Sequence, residues 1–267
     1  MRASTPLAGG RLALLFLRVS VMNDLQYRAN FVIQLFQSLL ALGTGLAVLA
    51  LIFDQTDDLG GWSQTELIAV MGIFTIMGGV IRSAIEPNMQ RLMEDVRKGT
   101  LDYVLTKPED PQLLVSVRDI RIWQGVEVLT GAVVLGYAVA RDPASLGPAE
   151  VLGFVVSIVL GAVIVYCFWL LMTTAVFWVV RLDETQELFE GVYRAGQYPV
   201  GIYPGWMRLG LTFLIPIAFA VTVPSEAVTG RLDAATLGFA FVFCVVMLIL
   251  SRAVWKRGLR RYSGASA

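Results

Sequence analysis

The chain contains no histidine. That absence removes imidazole as a general base, the Ser-His dyad and the commonest nitrogen ligand for transition metals. Cysteine is almost missing too. Cys167 and Cys244 each fall inside an apolar run, where they read as small core hydrophobes rather than as a disulfide or a metal site. Charge is scarce: 16% of residues are Asp, Glu, Lys or Arg, against roughly 25% in a soluble domain. The formal net charge is zero, so no overall bias draws the chain to nucleic acid. No G-x-x-x-x-G-K-[ST] phosphate loop occurs, and Gly43-Thr44-Gly45 lacks its lysine. The chain is therefore expected to hold no ATP, cofactor, metal or catalytic residue of its own.

What it has in abundance is apolar length. Hydrophobic residues make up 56% of it, and its mean hydropathy is +0.68. A spanning helix needs about 20 mostly apolar residues. Six segments meet that need: 31–53, 64–84, 120–140, 151–180, 206–224 and 234–251. The first and fourth carry no charge, and the fifth is short and interrupted by Pro216. Ahead of them, Leu12, Leu15, Phe16, Val19 and Met22 recur at helical spacing within residues 1–30. This describes an amphipathic helix lying in the membrane interface. The apolar stretch 12–17 is too short for a signal sequence. The expected fold is an all-α integral membrane protein with one transmembrane domain over residues 1–267. Trp62, Trp123, Trp206 and Trp255 fall near span ends, as interface anchors do.

Six spans place every one of the 21 basic residues on one side except Arg141 and Arg231. Lys and Arg accumulate in cytoplasmic connections, so that side, with both chain ends, is expected to face the cytoplasm. Five or seven spans would scatter the basic residues.

The same side holds a polar block, residues 85–119, between the second and third spans. Leu92 and Val96 continue the helix of span two, and Gly99 ends it, because glycine accepts left-handed backbone angles. Thr100 is placed to cap a short helix from Leu101 to Thr106 with Leu101, Val104 and Leu105 along one edge. Lys107-Pro108 stops it, and a second short helix begins near Pro111. Two readings stay open: a hairpin that seals the bundle, or a knob that docks on another protein. The length of the connection favours docking.

The run R-K-G-T-L-D-Y-V-L-T-K-P resembles the coupling-helix segment of ABC-2 type transporter permeases. Y-R-A-N-F at 27–31, and Q-Y-P-V-G-I-Y-P-G-W-M-R with L-T-F-L-I-P-I-A-F over 197–219, resemble one bacterial branch of that superfamily. Its members work beside a second, related permease and a separate ATPase. The resemblance implies a permease half of an ATP-driven exporter in the bacterial cytoplasmic membrane. ATP and Mg would be bound by the partner ATPase dimer, and transport would proceed by alternating access. It places the ATPase contact at Gly99, Thr100, Leu101, Asp102, Leu105 and Pro108, with Arg97 and Lys98 at the rim and Leu101 and Leu105 anchored in the partner's groove. It carries no substrate.

The resemblance also bears on the fifth span. Pro216 and Pro224 suit a helix that breaks and turns back as an outer gate, or a plain proline-kinked span followed by a loop. Residues 183–198 read as a surface helix or as the foot of that span. Glu127 is the one carboxylate well inside a span, and an intramembrane acid is a functional candidate by default. It either contacts a cationic substrate group or pairs with Arg82. A membrane enzyme is disfavoured by the missing histidine and by the lack of an intramembrane Asp pair. An ion-driven transporter would leave the polar block unexplained, and a non-transporting scaffold is the remaining alternative.

Overall fold

The computed structural model describes residues 28–142, 147–178 and 185–262. The interfacial helix expected over residues 1–30 thus lies outside the described residues, except for 28–30. These three open α1 (Arg28–Phe53), a 26-residue helix. At 1.5 Å per residue it measures about 39 Å, enough to cross a hydrocarbon core of about 30 Å. α2 (Gln64–Val80) starts at Ser63 with a reciprocal cap. The Glu66 carboxylate accepts the Ser63 N–H at 2.7 Å, and Ser63 Oγ accepts the Glu66 N–H.

α2 passes through a π-turn, Ile81–Ile85, into α3 (Glu86–Lys98). The result is a 35-residue rod, about 52 Å long. It outruns the membrane core by about 20 Å, and that excess is the stem of the polar block. The end of the bundle that carries this block is the polar end, opposite the far end.

The block holds α4 (Asp102–Leu105) and α5 (Pro111–Ser116). α6 (Gly125–Arg141) returns antiparallel to α2. This helix begins later than the 120 expected for span three, after a 3-10 turn at Ile122–Gln124. α7 (Pro148–Thr174) follows, then α8 (Thr185–Tyr193), the hairpin helices α9 (Gly205–Leu209) and α10 (Val223–Val228), and α11 (Ala234–Leu259). Among the described residues five helices are long and apolar enough to cross a membrane. With no strand among the described residues, the chain is an all-α integral membrane protein.

The fifth crossing is not where hydropathy puts it. Segments 205–214 and 218–228 meet at 82°, and both outer ends of this hairpin lie at the far end. Before it, a Cβ on Gly60 of the first far-end turn would stand 2.9 Å from the Ile202 side chain. After it, Arg231 pairs with Glu66 at the start of α2, Nε to Oε1 at 2.6 Å and Nη2 to Oε2 at 2.8 Å. Segment 206–224 is therefore a re-entrant hairpin and not a span. Residues 185–203 make the climb instead, in place of the surface helix or foot expected over 183–198. Phe189 packs on Phe168 and Trp169 towards the polar end. Tyr193 Oη donates to the Phe74 carbonyl at 2.9 Å midway, the Val200 N–H donates to Thr222 Oγ1, and Ile202 reaches the far end. Six crossings result, with both described chain ends at the polar end.

Three π-turns share one cause. Ile81–Ile85, Gly210–Leu214 and Ala218–Thr222 each end two residues before a proline, at Pro87, Pro216 and Pro224. Proline has no N–H to offer and its ring crowds the carbonyl four residues back. Widening the preceding turn relieves that crowding. At Pro216 the chain breaks outright, with extended Ile215 at φ −123° and ψ 99°. At Pro87 the carbonyl left over is that of Ser83, and the Arg121 N–H donates to it at 2.9 Å. This bond holds residue 121 in the loop, which is why α6 starts late.

Small residues bring the helices together, as membrane packing requires. Gly72 and Gly79 face Gly131 and Val128 across the α2–α6 contact, and Gly161 of α7 lies against the Phe219 backbone of the hairpin. Both cysteines are free and buried. The tryptophans divide: Trp206 is exposed, but Trp255 is 1% and Trp62 6% exposed. The last two are core residues and not interface anchors, and Trp62 lies beneath the Arg231 guanidinium at 4.8 Å.

Candidate functional site

The polar block is built from its stem outwards. Gly99 ends α3 with φ +70°, where a side chain would be strained. Asp95 organises the turn beyond that glycine. Its carbonyl accepts the N–H of Thr100 at 2.9 Å and of Leu101 at 3.2 Å. Its carboxylate accepts the Thr100 hydroxyl at 2.8 Å and the Arg118 guanidinium at 2.6 Å. Thr100 thus binds back to α3 and does not cap the next helix. Leu101 occupies the N-cap position and α4 starts at Asp102.

Burial corrects the expected anchor. Leu101 is fully buried against its own chain, as are Val104, Leu114 and Leu92. Leu105 is half-buried. An apolar side chain at 0% exposure is not offered to a partner, so Leu101 is a rivet that holds α4 on the stem. The ring that α4 presents is Tyr103, 76% exposed. Around it lie exposed Arg97, Lys98, Thr106, Lys107 and Pro108, with Asp102 half-buried beside them. Lys98 pairs with Glu94 one turn back at 3.0 Å.

The block is clamped from two more sides. Asn88, buried in α3, donates to the Ala84 and Asp119 carbonyls at 2.7 Å each. Its Oδ1 accepts the N–H of Arg118 at 2.8 Å and of Asp119 at 2.9 Å. An Asn one residue after a helix proline is the sequence signal for this pin, and hydrophobic periodicity does not pick it out. On the other side Asp110 caps α5 by accepting the Gln112 N–H at 2.9 Å. It also takes both ends of the Arg252 guanidinium from α11, and Arg252 reaches Gln112 Oε1 at 2.6 Å. Ser116 and Tyr166 of α7 share a hydrogen bond of 2.7 Å. The block is thereby joined to the second, fourth and last crossings.

The hydrogen bond from Arg252 holds the Asp110 carboxyl below its ordinary value of 3.8. A lowered carboxylate contributes stability above its unfolded pKa and loses it as pH falls through the folded one. Asp110→Asn is therefore expected to melt below the parent by the same margin at about pH 7 and about pH 5. The margin is expected to shrink as the pH falls from there to about 3.

Elsewhere, Glu127 stands in the first turn of α6, where the helix dipole favours an acid. Arg82 Nε donates to its two oxygens at 3.2 and 3.0 Å, and Nη2 adds a third contact. The pair is largely enclosed, Glu127 more than Arg82. Pro216 and Pro224 are buried at the bend and in the returning arm of the hairpin. They lie apart from the polar block, so the site residues form two groups at the two ends of the bundle and Glu127 lies between them.

Comparison with family models matches residues 39–266 to the ABC-2 family transporter protein. No curated protein and no solved structure matches the chain. The match runs from within α1 through the polar block and the hairpin to the last crossing. The chain belongs to the ABC-2 transporter family, as the membrane permease component of an ABC transporter whose ATPase is a partner.

Proposed function

We propose that this permease is one half of an ATP-driven exporter, paired with a second, related permease and worked by a separate ATPase dimer that binds ATP and Mg. The polar end faces the cytoplasm of a bacterial inner membrane, with both chain ends on that side. The basic residues support this, since among the described ones only Arg141, Arg208 and Arg231 lie at the far end. α4 is the coupling helix. Closure of the ATPase dimer displaces it, and the bundle passes from inward- to outward-open, with the re-entrant hairpin as outer gate.

One observation carries the reading. α4 is fixed to three crossings through buried side chains and ion pairs, and its exposed side offers a single large ring, Tyr103. A rigid mount with one projecting aromatic suits force transfer, and interface hot spots favour tyrosine in a partner's pocket. The charges at Arg97, Lys98 and Lys107 would set orientation more than affinity. Tyr103→Asp is the test, because residue 103 can change without disturbing the core. Detergent pulldown is expected to show ATPase retention weakened about thirtyfold, the equivalent of about 2 kcal/mol. Retention equal to the parent's would remove the docking assignment.

A further inference from the structure

Polar side chains on a membrane span are costly unless something meets them. α1 carries such a face: Gln34, Gln37 and Ser38, with Thr44 further along. Ser38 is buried and bonded to Thr130 of α6 at 2.9 Å. Neither glutamine amide finds a partner among the described residues. Both border two adjoining cavities, of about 510 Å³ and 360 Å³, within the range of about 300–1,000 Å³ typical of ligand sites.

The larger cavity is walled by the Arg82–Glu127 pair and by Glu190 and Arg194. Glu190 and Arg194 make no ion pair within 4 Å among the described residues, and Glu190 acts on Arg82 across the cavity, so the wall carries charge of both signs. The smaller cavity holds Gln124, whose Oε1 is buried without a hydrogen bond among the described residues. The outer face of α1 beside the trench is bare and apolar, with Phe36 67% and Leu40 60% exposed.

We infer that this trench binds the head group of a zwitterionic phospholipid, one carrying both an ammonium and a phosphate, while its acyl chains stay in the bilayer along α1. The two signs of charge decide the class. An anionic head would meet Glu127 and Glu190, and a cationic head would meet Arg82 and Arg194. A dipolar head satisfies both, and the amides of Gln34, Gln37 and Gln124 complete its hydrogen bonds. That the bound lipid is also the transported one rests on the exporter reading; the binding site itself does not.

The test uses the purified complex of this permease with its partners. It is exposed to equal amounts of phosphatidylethanolamine and phosphatidylglycerol, and retained lipid is counted by native mass spectrometry. The parent is expected to retain phosphatidylethanolamine about tenfold over phosphatidylglycerol. Two double variants, Glu190→Gln with Arg194→Gln and Gln34→Leu with Gln37→Leu, are each expected to lower that retention about tenfold. Equal retention of the two lipids, a preference for phosphatidylglycerol, or unchanged retention in both double variants overturns the inference. So does quantitative cross-linking of Gln37→Cys to the second permease, which would make the trench a subunit seam. A complex that keeps its ATPase through Tyr103 but shows no lipid preference sinks this inference alone.

Discussion

Glu127→Leu is expected to lower stability by about 3–5 kcal/mol, because it leaves the Arg82 guanidinium enclosed without its counter-charge. The two bonds from Arg82 Nε, at 3.2 and 3.0 Å, and the contact from Nη2 compensate that charge at present. Removing the acid leaves the base half-enclosed at the wall of the trench without its counter-charge. The paired variant Arg82→Leu with Glu127→Leu is expected to recover most of the loss, since an apolar pair of similar volume avoids the desolvation cost altogether. Thermal unfolding in detergent reads both. If Glu127→Leu melts with the parent, the pair is solvated and not enclosed. The comparison also separates stability from transport, because the double variant keeps the fold while stripping one charged wall from the trench.

The second large effect is expected at Gly131. A Cβ there would lie 2.6 Å from the Gly72 carbonyl oxygen and 2.7 Å from the Ile76 nitrogen. Both are backbone atoms of the facing helix and neither can swing aside. Gly131→Val is therefore expected to force α2 and α6 apart, at about 3 kcal/mol, the upper part of the range for overpacking. Gly136 supplies the control, as a Cβ there meets nothing within 4 Å. Gly136→Val on the same helix is expected to change stability by no more than about 0.5 kcal/mol. Equal melting of the two variants would mean that the two helices stand further apart than backbone contact requires.

How much of the molecule is legible in its residues differs by element. The long uncharged runs announce α1 and α7, because lipid demands apolar surface all round. Gly99 announces the end of α3, because few other residues accept its backbone angles. The fifth crossing is hidden. It carries Glu190, Arg194, Gln197 and three tyrosines, since it borders a polar trench and not lipid. The greasier 206–224 mimics a span although it dips in and returns. Hydropathy measures what a segment touches, not which way it travels. Leu101 is hidden for a related reason. An apolar edge on a four-residue helix shows that something covers it, and pattern alone does not distinguish the chain's own core from a partner. Tyr103, the residue left outside, lies on no periodic stripe at all. The polar pins at Asn88 and Asp95 lie beyond periodicity altogether, because Asn88 serves backbone groups of residues 118 and 119 and Asp95 the Arg118 guanidinium, all distant in sequence.

The bond between Arg121 and Ser83 runs from main chain to main chain. Side-chain exchange at either position therefore leaves this bond intact. Only an imino acid at 121 abolishes the donor, and only loss of the ring at 87 returns the acceptor to its own helix. The joint between the polar block's stem and the next crossing is in effect written in one residue, Pro87.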